Sequence, residues 1–144
     1  MKRIQRVVAT AFIMKGSRVL IGKRSTRDSI FPGMYELPGG KIEFGETPEE
    51  ALKREIREEL GVGVEVLQPY HAFSYTVHEG GAHCVEIAFL CRLSESQKNI
   101  RMLYHEDIRW VKRDELGDFD MSPEMREAAE RGFSFISRQA NQPL

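Results

Sequence analysis

Only two of the 144 residues are cysteine and one is tryptophan. Cys84 and Cys91 fall seven residues apart in one stretch that reads as extended. An odd separation puts them on opposite faces of a strand, with Cα atoms beyond disulfide reach. No Cys-x-x-Cys pair is present, which argues against a structural zinc site and predicts two buried thiols that act as small hydrophobes. No apolar run approaches the roughly 20 residues needed to span a bilayer. The basic start, Met1 to Arg6, leads into an apolar stretch that Lys15 and Arg18 interrupt. It lacks the small-residue cleavage pattern of a secretory leader. An excess of one charge is missing as well: 21 Lys and Arg stand against 22 Asp and Glu, a net charge of −1. That balance argues against a nucleic-acid-polymer coat or a polybasic membrane binder. Repeats, low-complexity tracts and linkers are absent from the sequence. A single domain over residues 1–144 is expected, cytoplasmic, and a monomer or homodimer.

What is there is a core: 41% of residues are hydrophobic, enough to fold one domain without staples. Ile4 to Met14 and Arg18 to Lys23 read as strands around the turn Lys15-Gly16-Ser17. Residues 24 to 34 read as a loop. Tyr35-Glu36-Leu37 is short and extended, Pro38-Gly39-Gly40 is a sharp backbone event, and Lys41 to Phe44 reads as extended again. Val62 to His78 and Ala82 to Leu93 predict a long hairpin, Ile108 to Val111 a short strand, and Ser122-Pro123 the start of a last helix to about Arg138. Strands with one internal and one terminal helix imply an α/β sandwich with a mixed sheet.

The internal helix carries the chemistry. Thr47 suits an N-cap, Pro48 the first helical position, Glu50 the capping-box position, and Gly61 a C-terminal stop. At about 100° per residue, Leu52, Ile56 and Leu60 form a core stripe, and Glu59 falls at its edge, between Leu52 and Glu55. Glu55, Glu58 and Glu59 crowd one side. Like charges at this spacing repel by a few tenths of a kcal/mol even when exposed, and partial burial raises the cost. A divalent cation would relieve it, and carboxylate oxygens suit Mg²⁺. Lys53, Arg54 and Arg57 leave open a plain salt-bridged surface helix.

The stretch from Gly40 through Glu46 to Arg54-Glu55-Ile56-Arg57-Glu58-Glu59-Leu60-Gly61-Val62 resembles the signature of the Nudix hydrolases, G-x5-E-x7-R-E-U-x-E-E-x-G-U with U aliphatic. All nine specified positions in this 23-residue span match. Tyr35-Glu36-Leu37-Pro38-Gly39 is similar to the lead-in of the MutT-like branch. The opening strands, the long hairpin and the Trp110 segment fit the family layout more loosely; the loop 24 to 34 and the tail beyond about residue 119 do not.

The resemblance implies an α/β/α sandwich that hydrolyses a nucleoside diphosphate linked to another group, using Mg²⁺ or Mn²⁺. It implies Glu55 and Glu59 as principal metal ligands, Glu58 as a further or water-mediated one, and the Gly39 carbonyl as another. Gly40 and Glu46 would support that shell, and Arg54 would hold the glutamates in place. The general base in many members lies before the Trp-containing strand, which here points to Glu106, with Asp107 or Glu58 as alternatives. His105 beside it reads as a surface histidine.

Substrate choice is less legible. Arg24, Phe119, Asp120 and Ser122 lie where the MutT-like branch contacts nucleotide. The Pro-Ala-Asn stretch of the oxidised-dGTP hydrolases is replaced by Asp120-Met121-Ser122-Pro123, which argues against a strict oxidised-guanine preference. Phe73, Tyr75 and Phe89 read as core, with stacking on a base as the alternative; His78 and His83 read as exposed residues at a hairpin tip. The expected reaction is hydrolysis of a nucleoside triphosphate to monophosphate and pyrophosphate. The alternatives are cleavage of a nucleotide sugar such as ADP-ribose, whose hydrolases often carry extra N-terminal sequence, and a sensor domain that has lost catalysis. The intact glutamates argue against the last.

Overall fold

The computed structural model describes residues 2–94 and 99–140. Its elements are β1 (Ile4–Lys15), β2 (Arg18–Lys23), β3 (Tyr35–Glu36), β4 (Gly39–Lys41), α1 (Pro48–Leu60), β5 (Val64–Val77), β6 (Ala82–Leu93), β7 (Asp107–Lys112), a 3-10 turn (Arg113–Asp118) and α2 (Pro123–Ala140). The sheet runs β3-β2-β1-β6-β5, with β4 paired to β1 and β7 to β2. β1 and β6 are parallel from Ile4↔Ala82 to Ile13↔Cys91, and the other pairs are antiparallel, so the sheet is mixed. β1 changes partner along its length: Val8–Thr10 pair with β4, and Met14–Lys15 pair with β2.

Alternation along the strands builds two cores. Ala9, Ala11, Ile13 and Leu20 pack with Leu52, Ile56 and Leu60 of α1. Phe12, Val19 and Ile21, pointing the other way, pack with Met125, Ala128 and Ala129 of α2. Helices therefore cover opposite faces of the sheet, the expected α/β/α sandwich. Each large buried side chain here stabilises the fold by about 2–5 kcal/mol relative to alanine.

The internal helix begins and ends where its sequence signals stand. Thr47 Oγ1 accepts the Glu50 N–H at 3.1 Å, Pro48 opens the first turn, and Gly61 closes the last at φ 68. The strand expected over Lys41–Phe44 instead occupies Gly39–Lys41. Glu46 explains the early stop: its side chain accepts the Glu43 N–H at 2.8 Å and its own N–H donates to the Glu43 carbonyl, folding the chain into a turn. The 3-10 turn was not legible; Glu115 opens it by accepting the Lys112 N–H at 2.8 Å. β5, at the sheet edge, slips register against β6 between Val66 and Gln68 and again between Pro69 and His71. Cys84 and Cys91 are both free and buried. Among the described residues no helix is long and apolar enough to cross a membrane.

Candidate active site

The bend before α1 sits against β1 at close quarters. The Ala11 N–H donates to the Pro38 carbonyl at 2.8 Å. A Cβ on Gly39 would stand 2.1 Å from the Ala9 carbonyl oxygen, so no other residue fits. This approach brings the Gly39 N–H to Glu59 Oε1 at 3.3 Å and places Gly40 under the Glu55 carboxyl group.

Arg54 gathers the other acids. Its Nε and Nη2 donate to the two oxygens of Glu46 at 2.7 and 2.9 Å, a fork that fixes the guanidinium plane. Nη1 reaches Glu55 Oε1 at 2.9 Å and Glu58 at 3.3 Å, and Nη2 also donates to the Lys41 carbonyl at 3.1 Å. These bonds hold the Glu46 carboxyl down at about 2, well below the usual range. Glu59 has no hydrogen-bonded cation among the described residues. It is 5% exposed, and burial first, then the charges of Glu36 and Glu55, push its carboxyl up to about 9, with the Gly39 amide and the more distant Arg24 charge pulling the other way. Burial also raises Glu55, against the pull of Arg54.

Glu55, Glu58, Glu59, Gly39 and Gly40 all line one cleft of about 490 Å³. Its floor is a face of four neighbouring strands: the register Lys41↔Val8↔Glu86↔Phe73 sets these side chains in a row. Glu36 lines it too, holding Arg24 Nη1 at 3.0 Å and His105 Nε2 at 2.9 Å. Arg24 in turn folds its loop, donating from Nε to the Ile30 carbonyl at 2.9 Å and pairing with Asp28 at 3.4 Å.

His105 is a correction. Expected at the surface, its side chain is fully buried, with its ring over Gly22, where a Cβ would stand 2.6 Å away. Glu36 supplies the polar partner that makes this burial tolerable. The available signal was Gly22, since a glycine inside a strand often marks a close approach. Phe89 belongs to the core beneath α1, whereas Phe73 and Tyr75 line the cleft. His78 is exposed at the hairpin turn, and His83 instead meets the Gln5 side chain at 2.9 Å.

Of the remaining candidates, Arg24 and Ser122 line the cleft, and Ser122 also caps α2 through the Met125 N–H at 3.2 Å. Phe119 and Asp120 stand behind the lining residue Tyr35: Phe119 packs edge-on against its ring, and the Asp120 carbonyl accepts its N–H at 2.7 Å. Glu106 lies outside the lining and accepts the Thr26 N–H at 3.1 Å. Glu46 also lies outside it, behind Arg54. Residues missed in the sequence are Glu36 and Glu86, whose position in the cleft beside Tyr75 depends on strand pairing.

Among the described residues no three His, Cys, Asp or Glu side chains converge as a ready-made metal cage. The acids are engaged by Arg54 and by the Gly39 amide instead. The donor set still fits a hard divalent ion. It is all oxygen, it opens on a cleft with room for water and a polyphosphate, and it contains a buried carboxyl that no cation bonds among the described residues.

The NUDIX domain family matches residues 4–132 of the chain. The chain is 34% identical over 132 residues to the nucleoside triphosphatase NudI of Enterobacter sp. strain 638, covering 85% of this chain and 92% of that protein. A MutT NUDIX hydrolase from Burkholderia pseudomallei superposes with a TM-score of 0.74 at 29% identity, over 88% of this chain and 97% of the other. The E. coli ORF135 protein shares the fold, with a TM-score of 0.79 at 21% identity over 97% and 96% of the two chains.

Proposed function

The chain belongs to the NUDIX domain family and is a Nudix hydrolase of MutT-like fold; on that premise we propose that it hydrolyses a nucleoside triphosphate to the monophosphate and pyrophosphate, with Mg²⁺ as its ion. The observation that carries this reading is Glu59: a buried carboxyl, bonded to no cation among the described residues, on the wall of a cleft large enough for a nucleotide. The name of the relative NudI supports the substrate class.

Glu55, Glu58, Glu59 and the Gly39 carbonyl would hold the ion, with Mn²⁺ as a substitute. Bound there, it supplies neutralisation of the polyphosphate and acidifies water for attack on phosphorus. Arg54 holds Glu55 and Glu58 in place, using Glu46 as its own anchor. Gly40 leaves the space that the Glu55 carboxyl group occupies. For the proton acceptor we favour Glu58 over Glu106. Glu58 lines the cleft with an exposed side chain, whereas Glu106 is committed to the Thr26 amide outside it. Arg24, Tyr35 and Ser122 line the nucleotide's side of the cleft, with Phe119 and Asp120 supporting Tyr35.

The test is a panel of nucleotides with Mg²⁺ or Mn²⁺, with both products identified. Monophosphate plus pyrophosphate from triphosphates is the expected result. AMP plus a sugar phosphate from ADP-ribose, with triphosphates untouched, would replace this reading by the nucleotide-sugar one.

A further inference from the structure

The cleft holds one more buried carboxyl group, which the reaction above does not use. Glu86 on β6 is 4% exposed. Thr10 Oγ1 donates to its Oε1 at 2.6 Å, and the Tyr75 hydroxyl donates to its Oε2. Both of these partners are hydroxyls rather than cations. Burial raises the Glu86 carboxyl while the two hydroxyl donors oppose that rise and fix the orientation of the group, leaving about two of its four lone-pair positions free to accept.

Its neighbours are flat. Phe73 stands opposite Glu86 across β5, Tyr75 stands opposite Cys84 one row along, and Phe31 packs edge-on against Tyr75 with centroids 5.4 Å apart. All of them line the cleft. Aromatic rings take the face of a heterocycle, and a carboxylate held by two hydroxyls takes only an edge that donates. A ligand that displaces water from Glu86 must replace the lost donors. A carbonyl oxygen pressed there would leave two acceptors facing each other, at the cost of an unsatisfied buried group.

We propose that Glu86 reads the substrate's base by accepting a hydrogen bond from an exocyclic amino group. The enzyme accordingly prefers cytosine, adenine and guanine nucleotides over those of uracil and thymine. The latter carry no amino group, and their ring N–H between two carbonyls brings an acceptor against Glu86 on either side. Thr10 and Tyr75 are positioning residues for Glu86. This inference rests on the nucleotide reading of the cleft and adds to it the feature of the base that is recognised.

The decisive pair is dCTP and dUTP, which differ only at C4, an amino group against a carbonyl, and at the neighbouring N3, a bare acceptor against an N–H. In the wild type dCTP is expected to have at least a tenfold higher kcat/KM. In Glu86→Gln the carboxamide can turn either its N–H₂ or its C=O to the base, so the ratio shrinks to within about threefold, chiefly through improved dUTP turnover. A merely destabilised variant would not gain that activity. Equal use of the two by the wild type, or an unchanged ratio in a folded Glu86→Gln, overturns the proposal. If that variant does not fold, the wild-type ratio decides alone. Calorimetric binding of dCMP and dUMP separates this inference from the triphosphatase reading. Tighter dCMP binding without triphosphate turnover sinks only the latter, and absence of binding by either monophosphate sinks the base readout.

Discussion

Gly40 lies directly against the carboxyl group of Glu55: a Cβ built on the glycine would stand 2.2 Å from Glu55 Cδ and 2.3 Å from its Oε2. The obstructing atoms are the far end of a flexible side chain, so the fold can yield where the site cannot. Gly40→Ala is expected to melt within a few degrees of the wild type and to lose about 10²-fold in kcat, the scale of a 1 Å misplacement. Unaltered turnover in a folded Gly40→Ala would show that the position of Glu55 does not matter.

Glu59→Gln is expected to lose at least about 10²-fold in turnover while remaining folded. In chelator-treated protein the same substitution should raise Tm at pH 8 by a few degrees, as about 1 kcal/mol does in a domain of this length. The pH dependence has a definite sign. The Glu59 carboxyl is raised to about 9 in the folded chain and lies near 4.5 when unfolded. The folded state therefore binds the extra proton between those values. Stability from this group is fully present below about pH 4.5 and is lost as pH rises towards about 9. Glu59→Gln should flatten that decline in cation-free denaturation curves, and an unchanged slope would contradict the burial argument.

Arg54 cannot be replaced by lysine without loss. An ammonium group has no planar fork to span both oxygens of Glu46 while reaching Glu55 and Glu58. Arg54→Lys should reduce kcat by about 10–100-fold and weaken the apparent affinity for Mg²⁺. Activity near the wild-type level would mean that charge alone suffices.

Glu58→Gln and Glu106→Gln rank the two proposed proton acceptors. The first is expected to cost about 10²-fold or more in kcat, the second less than about tenfold. The reverse order, measured by steady-state kinetics at saturating Mg²⁺, would return the role to Glu106.

Gly132 faces Phe12 across the core under α2, where a Cβ would stand 2.3 Å from the ring. Gly132→Ala gains helix propensity but overpacks this contact, so a net loss of about 1–3 kcal/mol is expected by urea denaturation. A stabilised variant would show that the core can yield there.

The elements that were legible are those specified by local signals. The internal helix carries its cap, its first-turn proline and its stop within 15 residues, from Thr47 to Gly61, and the structure begins and ends it there. The burial of Glu59 followed from its angle relative to Leu52, Ile56 and Leu60. What escaped depends on contacts distant in the chain. His105 turns inward because Glu36 waits 69 residues away, and Glu86 enters the cleft because β1 and β5 place Thr10 and Tyr75 beside it. No periodicity within a strand encodes a partner on another. The turn at Glu46 defeated the extended reading because a side chain, rather than backbone propensity, folds it.

The two register slips of β5 have a colloidal consequence. A fourteen-residue border strand would ordinarily offer a second molecule a long template of unpaired amides and carbonyls. Here Pro69 lacks an amide proton and the slips on either side of it change the local twist, so the unbroken register is confined to His71–Val77 and a short N-terminal stretch. Self-templated assembly is blunted where Pro69 interrupts this border, and a substitution that straightened it would lengthen the edge open to a second copy.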